Sequence, residues 1–417
     1  MQLVERHVID RQHKHWQECD KLAFLSKNLW NAANYVCRQH FFANGAKLDF
    51  NSLYHATKNL VDYQVLPTKV SKQIIRRLEQ AWTTFIKAEK AYYKKPSKFL
   101  GKPRIPGYKH KTKGRNILPY PGKESIAKKL LATGICKLSM SNIEFPTKAL
   151  DIAEVRIIPS SCCYVIEVVY TRHKPQHTKN TGVAGVDLGL NNLMAVTTNQ
   201  PGVKPLLVTG KPLKAINTFY NKRRAQYQSV EATTKIKQIT HKRNCRVDNY
   251  LHTSSRRVID WCVSNSVGTL IIGKNDGIKN GIKLGKKNNQ QFVNIPHTTL
   301  VGMLTYKAEL VGIKVVVTEE SYTSKASALD NDEIPVYAQV KKEPKFSGYR
   351  VKRGLYRTAK KQLINADVNG SMNIIRKVIP DAFSQGIKAL PFMPLVVDPL
   401  RTQKHTYLLT QAFQAVV

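Results

Sequence analysis

The sequence predicts a protein of two or three domains, in which a β-rich domain with a helical insertion is followed by a mixed α/β domain. Three observations support this class. The chain has 417 residues, which is too long for one ordinary hydrophobic core. Segments rich in β-branched and aromatic residues cluster between positions 137 and 171. From residue 181 onward, short apolar strands alternate with helical patterns, which is typical of an α/β sheet.

The first part of the chain predicts a strand followed by two helices. Residues 2–9 predict the strand, and apolar residues spaced by three or four over 16–36 predict an amphipathic helix. A second helix is predicted over about 69–93, where Pro96 stops it. Further strands are predicted at 137–145, 153–159 and 164–171. We therefore predict one β domain from residues 1–14 and 94–180, interrupted by a helical insertion at 15–93.

Residues 94–116 form a basic segment that prolines and glycines interrupt, which excludes a regular helix. Its lysines and arginines lie among the aromatic residues Phe99 and Tyr108. Basic side chains beside aromatic rings suit a phosphate backbone and unstacked bases, whereas a solvated linker is the alternative interpretation.

The charge balance predicts a polyanionic partner. The chain contains 67 Lys and Arg against 28 Asp and Glu, a formal net charge of +39. Such a chain repels itself unless a polyanion neutralises it, and nucleic acid is the default candidate. A membrane surface is the rival, but the sequence contains no apolar run of about 18 residues and no signal-peptide pattern. We expect a cytoplasmic protein that is nucleoid-associated when it is bound to DNA.

The seven cysteines are odd in number and have no CxxC spacing. We interpret them as reduced thiols that are mostly buried, since neither a disulfide framework nor a zinc site fits this pattern.

The segment 181–192, TGVAGVDLGLNN, places the single acidic residue Asp187 at the end of an apolar strand. Burying an unpaired carboxylate is costly, and a divalent cation would remove that cost. A buried Asp that caps the following turn is the alternative interpretation.

Further strands are predicted at 193–197, 205–209, 269–272 and 313–318. With a long basic helical region over 211–257 and a helix at 298–311, this is the order of an RNase H-like domain. In that order the first strand, a later strand and a terminal helix each supply one acid, and the acids hold two Mg²⁺ ions for in-line phosphodiester hydrolysis.

Acidic residues occupy each of these three places. Asp187 closes the first strand, Glu319 and Glu320 follow the fifth, and Asp367 opens a helix. Asp367 alone could equally be a helix N-cap. The three positions together favour a magnesium site.

The motifs GVDLGLNNLMAV, SYTSKAS and NADVNGSMNI resemble the three RuvC motifs of the transposon-encoded TnpB nucleases, which are relatives of the type V CRISPR effectors and of Fanzor proteins. The segment GKPRIPGYK is similar to the entry of that family's β domain. The resemblance extends to about Val378. It implies a wedge-like β-barrel with a helical recognition insertion, then an RNase H-like RuvC domain at 181–378 with a target-strand or lid insertion at 321–363, and a C-terminal tail at 379–417.

The same resemblance implies an RNA-guided DNA endonuclease that binds a guide RNA from its own element and a double-stranded target DNA carrying a short flanking motif. The residues that we expect to contact nucleic acid are Arg76, Arg77, Lys102, Arg104, Tyr108, Lys109, Lys222, Arg223, Arg224, Lys325 and Arg353.

Two departures from the family pattern change the expected site. Most members carry a glutamate after the fourth strand, where this chain has Gly273 and Lys274. Rearranged members carry it just before the TS(K) motif, which makes Glu320 the expected second carboxylate, Glu319 the runner-up and Asp276 a weaker choice.

The second departure concerns zinc. The family commonly has two CxxC pairs in the insertion, and this chain has no cysteine there. We predict no zinc, and expect packing to hold the insertion through Leu329, Ile334, Tyr337, Tyr349, Leu355 and Tyr356.

Two other functions stay open at this point. The missing acid at Gly273 would fit an RNA-guided DNA-binding protein with impaired cleavage. A transposase would join DNA ends with the same metal chemistry.

Overall fold

The computed structural model describes residues 1–274, 290, 294–336, 344–383 and 393–401. The chain divides into two compact units, Met1–His173 and Lys174–Val417. This is the multidomain architecture of mixed α and β content that the sequence predicts. The finer division into barrel, insertions and tail stays a prediction.

The first unit contains a group of helices whose packed faces are apolar. Their bounds are α1 Trp16–Asn44, α2 Phe50–Thr57, α3 Val61–Gln64 and α4 Thr68–Lys94. The predicted helices correspond to α1 and α4, and the sequence patterns missed α2 and α3. Trp82 of α4 is 1% exposed, and its indole nitrogen donates a hydrogen bond of 3.0 Å to Asn34 of α1. The aromatic stripe of α4 is therefore core.

The first unit also contains a four-stranded antiparallel sheet in the order β1-β6-β5-β2. A separate two-stranded ribbon pairs β3 with β4, and a short helix, α5 (Lys128–Leu131), precedes the ribbon. The strands are β1 Gln2–Ile9, β2 Leu118–Pro121, β3 Ile135–Lys137, β4 Glu144–Pro146, β5 Ile152–Pro159 and β6 Tyr164–Thr171.

One strand prediction in this unit is wrong. Residues 137–145 were expected to be a single strand, but they contain a turn between β3 and β4. Met140 has a φ of 50°, and the Ser141 hydroxyl donates a hydrogen bond of 3.1 Å to the carbonyl of Leu138. Short polar side chains stabilise such turns by bonding the local backbone, and this competes with an extended conformation.

The second unit is built on a mixed sheet. Its first strands are β7 Gly182–Leu188, β8 Asn192–Thr198, β9 Leu206–Thr209, β10 Val267–Gly273 and β11 Lys314–Thr318. β7, β8 and β9 pair antiparallel, whereas β10 is parallel to both β7 and β11. This is the strand order and the mixture of directions that the sequence predicts.

Helices cover both faces of this sheet. They are α6 Lys211–Ser229, α7 Thr233–Ser264, α8 His297–Glu309 and α9 Ala366–Val378. Ala184 and Val186 of β7 pack with residues of α7 and α8, while Val183 packs with Ile374 and Ile375 of α9. Because side chains alternate along a strand, Asp187 shares the α9 face with Val183.

Gly185 of β7 explains how closely α9 approaches the sheet. A Cβ atom at this position would lie 2.3 Å from the carbonyl oxygen of Ser371. A residue with a side chain would push the helix away, so glycine is required for this contact.

Strands β12 Tyr349–Lys352, β13 Leu355–Arg357 and β14 Leu363–Asn365 form a separate antiparallel sheet, and its first two strands lie within the predicted insertion at 321–363. A last strand, β15 Leu395–Val397, pairs in parallel with β9. Part of the predicted C-terminal tail therefore packs on the sheet, and most of the tail lies outside the described residues.

Within the described ranges, no helix has the length and apolar character needed to span a membrane. Five of the cysteines are buried, as expected, whereas Cys162 is half-buried and Cys245 is exposed.

Candidate functional site

The predicted carboxylates lie at one edge of the second unit's sheet. Asp187 is the last but one residue of β7, Glu320 lies two residues after β11, and Asp367 is in the first turn of α9. Because β7, β10 and β11 are parallel, their carboxyl ends meet at one edge of the sheet. Val186 pairs with Ile272, and Gly273 pairs with Thr318. The ends of β7 and β11 that lead to Asp187 and Glu320 are therefore aligned on either side of β10.

The electrostatics of Asp187 show that the three acids are neighbours. Burial raises the pKa of Asp187 well above its ordinary value, and the negative charges of Glu320 and Asp367 raise it further. Arg350 and the backbone N–H of Leu188 act in the opposite direction. Asp187 is thus the acid that interacts with both of the others.

The three carboxylates interact electrostatically but do not form one tight cluster. Among the described residues, these three do not form a group whose oxygens all lie within 4.8 Å of one another. One small ion with bonds of about 2.1 Å would need a tighter cluster. Two ions about 4 Å apart suit a wider arrangement in which Asp187 is central.

Glu320 and Glu319 have different environments, which separates the expected ligand from its runner-up. Glu319 forms an ion pair with Lys377 and accepts a hydrogen bond of 2.9 Å from the backbone nitrogen of Ser321. Burial opposes its ionisation, but these hydrogen bonds outweigh burial and lower the pKa of Glu319. Burial and the charge of Glu319 raise the pKa of Glu320 to about 7, against the influence of Lys377.

Gly273, where most family members would carry the acid, lies beside Glu320. A Cβ atom on Gly273 would lie 3.1 Å from Oε2 of Glu320 and 2.5 Å from Cδ1 of Ile374. The carboxylate of Glu320 therefore lies close to the space that a side chain at Gly273 would enter. Asp276, the weaker alternative, lies outside the described residues.

Asp367 does not act as the N-cap of α9. Asn365 caps the helix, because its Oδ1 accepts hydrogen bonds of 2.9 and 3.2 Å from the backbone nitrogens of Asp367 and Val368. The side chain of Asp367 accepts a hydrogen bond of 2.7 Å from Asn192 Nδ2 instead. Asn192, at the start of β8, thus orients this carboxylate.

Two asparagines of α9 hold the loop that follows Glu320. Asn369 Nδ2 donates to the carbonyl of Ala326 at 2.8 Å, and its Oδ1 accepts from the backbone nitrogen of Ala328 at 2.9 Å. Asn373 Nδ2 donates to the carbonyls of Thr323 and Ala326. The loop and the helix that carry Glu320 and Asp367 are therefore fixed to each other by buried hydrogen bonds.

The insertion is held partly by apolar packing and partly by two aspartates. Tyr356 is fully buried and Leu329 packs against its cluster, but Tyr349 is 56% exposed, so its predicted core role is wrong. Tyr349 lies on β12, which is an edge strand of the three-stranded sheet. Tyr337 lies outside the described residues.

Asp330 is the main polar contact of the insertion. Its Oδ2 accepts hydrogen bonds from the hydroxyl of Ser327 at 2.6 Å, the backbone nitrogen of Ala359 at 2.8 Å and the hydroxyl of Ser347 at 3.2 Å. Asp332 Oδ2 similarly accepts from the backbone nitrogens of Ser327 and Ser347. These carboxylates cross-link the segments of the insertion.

The residues that are predicted to contact nucleic acid differ in solvent exposure and in the contacts that they already make. Arg77 forms an ion pair of 2.6 Å with Glu154, which occupies its charge, and Lys109 is half-buried beside Trp30. The others are exposed: Arg76, Lys102, Arg104, Tyr108, Lys222, Arg223, Arg224, Lys325 and Arg353.

Sequence reasoning missed three residues near the acids. Arg350, on β12, is the cation that acts on Asp187, Lys377 neutralises Glu319, and Asn192 orients Asp367. Asn192 follows the strand motif and could have been considered. Arg350 and Lys377 carry no local signal, since their neighbours are far away in sequence.

The acids fit magnesium better than a softer metal. Three carboxylates from three elements offer hard oxygen atoms, which Mg²⁺ prefers. Raised pKa values at Asp187 and Glu320 show that their negative charges are poorly compensated by the surrounding protein, which a bound cation would correct.

Comparison with known proteins gives two family matches, which lie between residues 162 and 374. A family model described as a probable transposase matches residues 162–279, which include Asp187. A model described as the Cas12f1-like TNB domain matches residues 297–374, which include Glu320 and Asp367. A TnpB-like protein of Acidianus two-tailed virus is 23% identical, with 89% of this chain and 86% of that protein covered. The chain is therefore similar to a TnpB-like protein over most of its length.

A second relative is the CRISPR-associated endodeoxyribonuclease Cas12f2 of Micrarchaeota archaeon (strain CG1_02_47_40). It is 24% identical over 227 residues, which are 52% of this chain and 40% of that protein. The chain therefore matches less than half the length of this relative.

Solved structures of similar proteins include a mini-RNA-guided endonuclease, CRISPR-Cas phi3, and a Cas12f1 complex with single guide RNA and target DNA. The first is 9% identical with a TM-score of 0.44, covering 95% of this chain and 94% of that one. The second is 13% identical with a TM-score of 0.34, covering 89% and 98%.

Proposed function

We propose that this chain is a TnpB family protein, a transposon-associated, RNA-guided DNA endonuclease that depends on Mg²⁺. The observation that carries the proposal is the meeting of Asp187, Glu320 and Asp367 at one sheet edge, where Asp187 interacts with both other acids. A site that only stabilised the fold would gain nothing from three crowded carboxylates.

Asp187, Glu320 and Asp367 would hold the metal ions. Bound there, magnesium would supply a polarised water and would stabilise charge on the leaving oxygen of the phosphodiester. Asn192 would keep the carboxylate of Asp367 oriented through its 2.7 Å hydrogen bond. Lys377 would hold Glu319 out of the group of ligands. The exposed Arg350 would meet the phosphate of the substrate, because it is the cation that acts on Asp187.

The partners that we propose are a guide RNA and a double-stranded target DNA. The net charge of +39 requires a polyanion of considerable length, and the relatives' names refer to guide RNA, target DNA and DNA cleavage. The protein would recognise a flanking motif while base pairing reads the target sequence.

The test is cleavage of target DNA by the purified complex with the RNA that copurifies with the protein. We expect Mg²⁺-dependent cleavage that Asp187→Ala abolishes while RNA binding persists. Full cleavage by Asp187→Ala would contradict the proposed site. Tight target binding without any Mg²⁺-dependent cleavage would instead support the RNA-guided DNA-binding protein that the loss of an acid at Gly273 suggests.

A transposase is the second candidate, because the model that matches residues 162–279 is described as a probable transposase. The same acids could join DNA ends. Strand-transfer products formed in vitro by the purified protein without RNA would favour this function over the guided nuclease.

A further inference from the structure

A cavity of about 300 Å³ lies between α6 and α7 in the second unit. The residues that α6 contributes are three or four positions apart and so share one helix face; they are Ile216, Phe219, Tyr220, Arg223 and Tyr227. The residues that α7 contributes follow the same spacing; they are Ile239, Lys242, Arg243 and Arg246. Packed helices normally interdigitate such faces, whereas these two faces leave a groove open between them.

Aromatic rings form much of this groove, and neighbouring groups fix two of them. The hydroxyl of Tyr220 lies 3.0 Å from Oγ1 of Thr240, and Arg223 Nη2 donates a hydrogen bond of 2.8 Å to the hydroxyl of Tyr227. Phe219 is 61% exposed, which is unusual for so large an apolar side chain beside a cavity. The groove thus presents an accessible aromatic surface whose orientation is set in advance.

Positive charge surrounds these rings. Arg223, Lys242 and Arg246 are exposed, and none of the described residues that line the cavity is acidic. Arg243 has a different role, since it donates hydrogen bonds to Asn217 Oδ1 at 2.8 Å and to the carbonyl of Asn294 at 2.7 Å. Arg223, Lys242 and Arg246 therefore present exposed positive charge to a ligand, with Arg223 also bonding Tyr227, whereas Arg243 is used by the fold.

We propose that this groove binds one unstacked nucleotide of a single-stranded nucleic acid. The base stacks on Phe219, and the adjoining phosphates contact Arg223, Lys242 and Arg246. A volume near 300 Å³ is at the lower end of ligand pockets, roughly 300–1,000 Å³, and suits a nucleotide but not a duplex. An apolar protein segment would leave the three cations without counter-charges, and a purely electrostatic backbone site would not need the aromatic rings. The proposal rests on the proposed nucleic-acid-binding function.

The direct test is photo-crosslinking with an oligonucleotide of roughly 20 nucleotides that carries 5-iodouridine, prepared once as RNA and once as DNA. We expect crosslinks at Phe219, Tyr220 or Tyr227, located by mass spectrometry of the full-length protein. The oligonucleotide, RNA or DNA, that crosslinks more efficiently identifies the kind of strand that occupies the groove. Phe219→Ala should remove the crosslinks in the groove and leave those at other positions unchanged. Because Phe219 is exposed, the substitution should leave the fold intact, so misfolding would not explain a loss of crosslinks.

Binding measurements add a matched control. Lys237 and Lys242 are both exposed residues of α7, and Lys242 alone of the two lines the cavity. Both variants, Lys242→Ala and Lys237→Ala, remove one charge, so an equal loss of affinity would show a general electrostatic effect and overturn the proposal. We expect Phe219→Ala to weaken binding of the strand that crosslinks by about 5- to 100-fold, well beyond the effect of Lys237→Ala.

The two proposals fail separately. Guided cleavage without crosslinks in the groove would overturn the nucleotide site and leave the nuclease intact. Crosslinks in the groove together with a protein that never cleaves DNA would support the nucleotide site and contradict the nuclease.

Discussion

Gly370 of α9 lies against the carboxylate of Asp187. A Cβ atom on Gly370 would be 2.7 Å from Oδ2 of Asp187, closer than real Cβ contacts come. Glycine in the middle of a helix normally costs about 1 kcal/mol relative to alanine. Here it allows the central carboxylate to lie directly beside the helix that carries Asp367. The position of Asp187 therefore depends on a residue that bears no functional group.

Gly370→Ala should displace the carboxylate of Asp187 and weaken Mg²⁺ binding and cleavage while the protein stays folded. Gly302→Ala is the matched control, because Gly302 also lies in a helix and a Cβ atom there would meet nothing within 4 Å. The control should stabilise the protein by about 0.5–1 kcal/mol and leave cleavage unchanged. Cleavage rates, Mn²⁺ affinity and urea unfolding measure the activity, the metal binding and the stability of the two variants. Unchanged Mn²⁺ affinity in Gly370→Ala would show that the contact does not position the acid.

Glu320→Gln and Glu319→Gln should have different effects on cleavage. Loss of a metal-binding carboxylate at Glu320 should reduce the rate by about 100-fold or more. Glu319→Gln removes a partner of Lys377, so it should reduce stability modestly and leave the metal chemistry largely intact. Single-turnover cleavage at saturating guide complex distinguishes the two. If Glu319→Gln reduced the cleavage rate more than Glu320→Gln, Glu319 rather than Glu320 would be the metal ligand.

Without metal, the acidic edge should destabilise the fold as the pH rises. Glu320 has a pKa of about 7 in the folded protein, above its ordinary value of 4.5, and that of Asp187 is raised in the same direction. The folded state therefore binds both protons more tightly, and the stability that Glu320 contributes is complete below pH 4.5 and is lost as the pH rises through about 7.

Magnesium should offset that loss, because it competes with the protons for the same oxygens. The measurement is the free energy of unfolding in urea at roughly pH 5 and pH 7.5, with and without Mg²⁺. Other carboxylates also titrate in this range, so the informative quantity is the difference between the native protein and Glu320→Gln. A variant with the same pH and Mg²⁺ dependence as the native protein would exclude a contribution from Glu320.

Asp330→Asn should loosen the insertion. The amide removes the negative charge from the acceptor of three hydrogen bonds, and a hydrogen bond to a charged group contributes about 1.5–3 kcal/mol, against about 1 kcal/mol for a neutral one. We expect faster hydrogen exchange at the backbone nitrogen of Ala359 and earlier proteolysis in the insertion. Glu333→Gln, at a nearby exposed residue, is the control and should behave like the native protein. Equal exchange in both variants would mean that packing around Tyr356 holds the insertion by itself.

Local sequence patterns were sufficient to predict the helices and strands that have strongly apolar faces. The strands β1 and β6, the helices α1 and α4, and the strand order of the second unit follow from periodicity and stop signals. The short elements α2, β3 and β4 could not be predicted in the same way, because a few residues carry too little pattern. The polar turn around Met140 shows that a run of mixed residues can be broken without glycine or proline.

The sequence alone determined that acids end one strand, follow another and open a helix, because burial of a charged group among apolar residues is visible in the chain itself. It also determined the basic balance, which does not depend on folding. Only the tertiary structure decided that Lys377 engages Glu319 and leaves Glu320 to the acidic edge, that Arg350 acts on Asp187, and that β15 pairs with β9. Glu319 and Glu320 are adjacent, so the local sequence pattern cannot distinguish them. Lys377, which is 58 residues from Glu319 in sequence, pairs with Glu319, and its approach depends on the packing of α9 against the sheet.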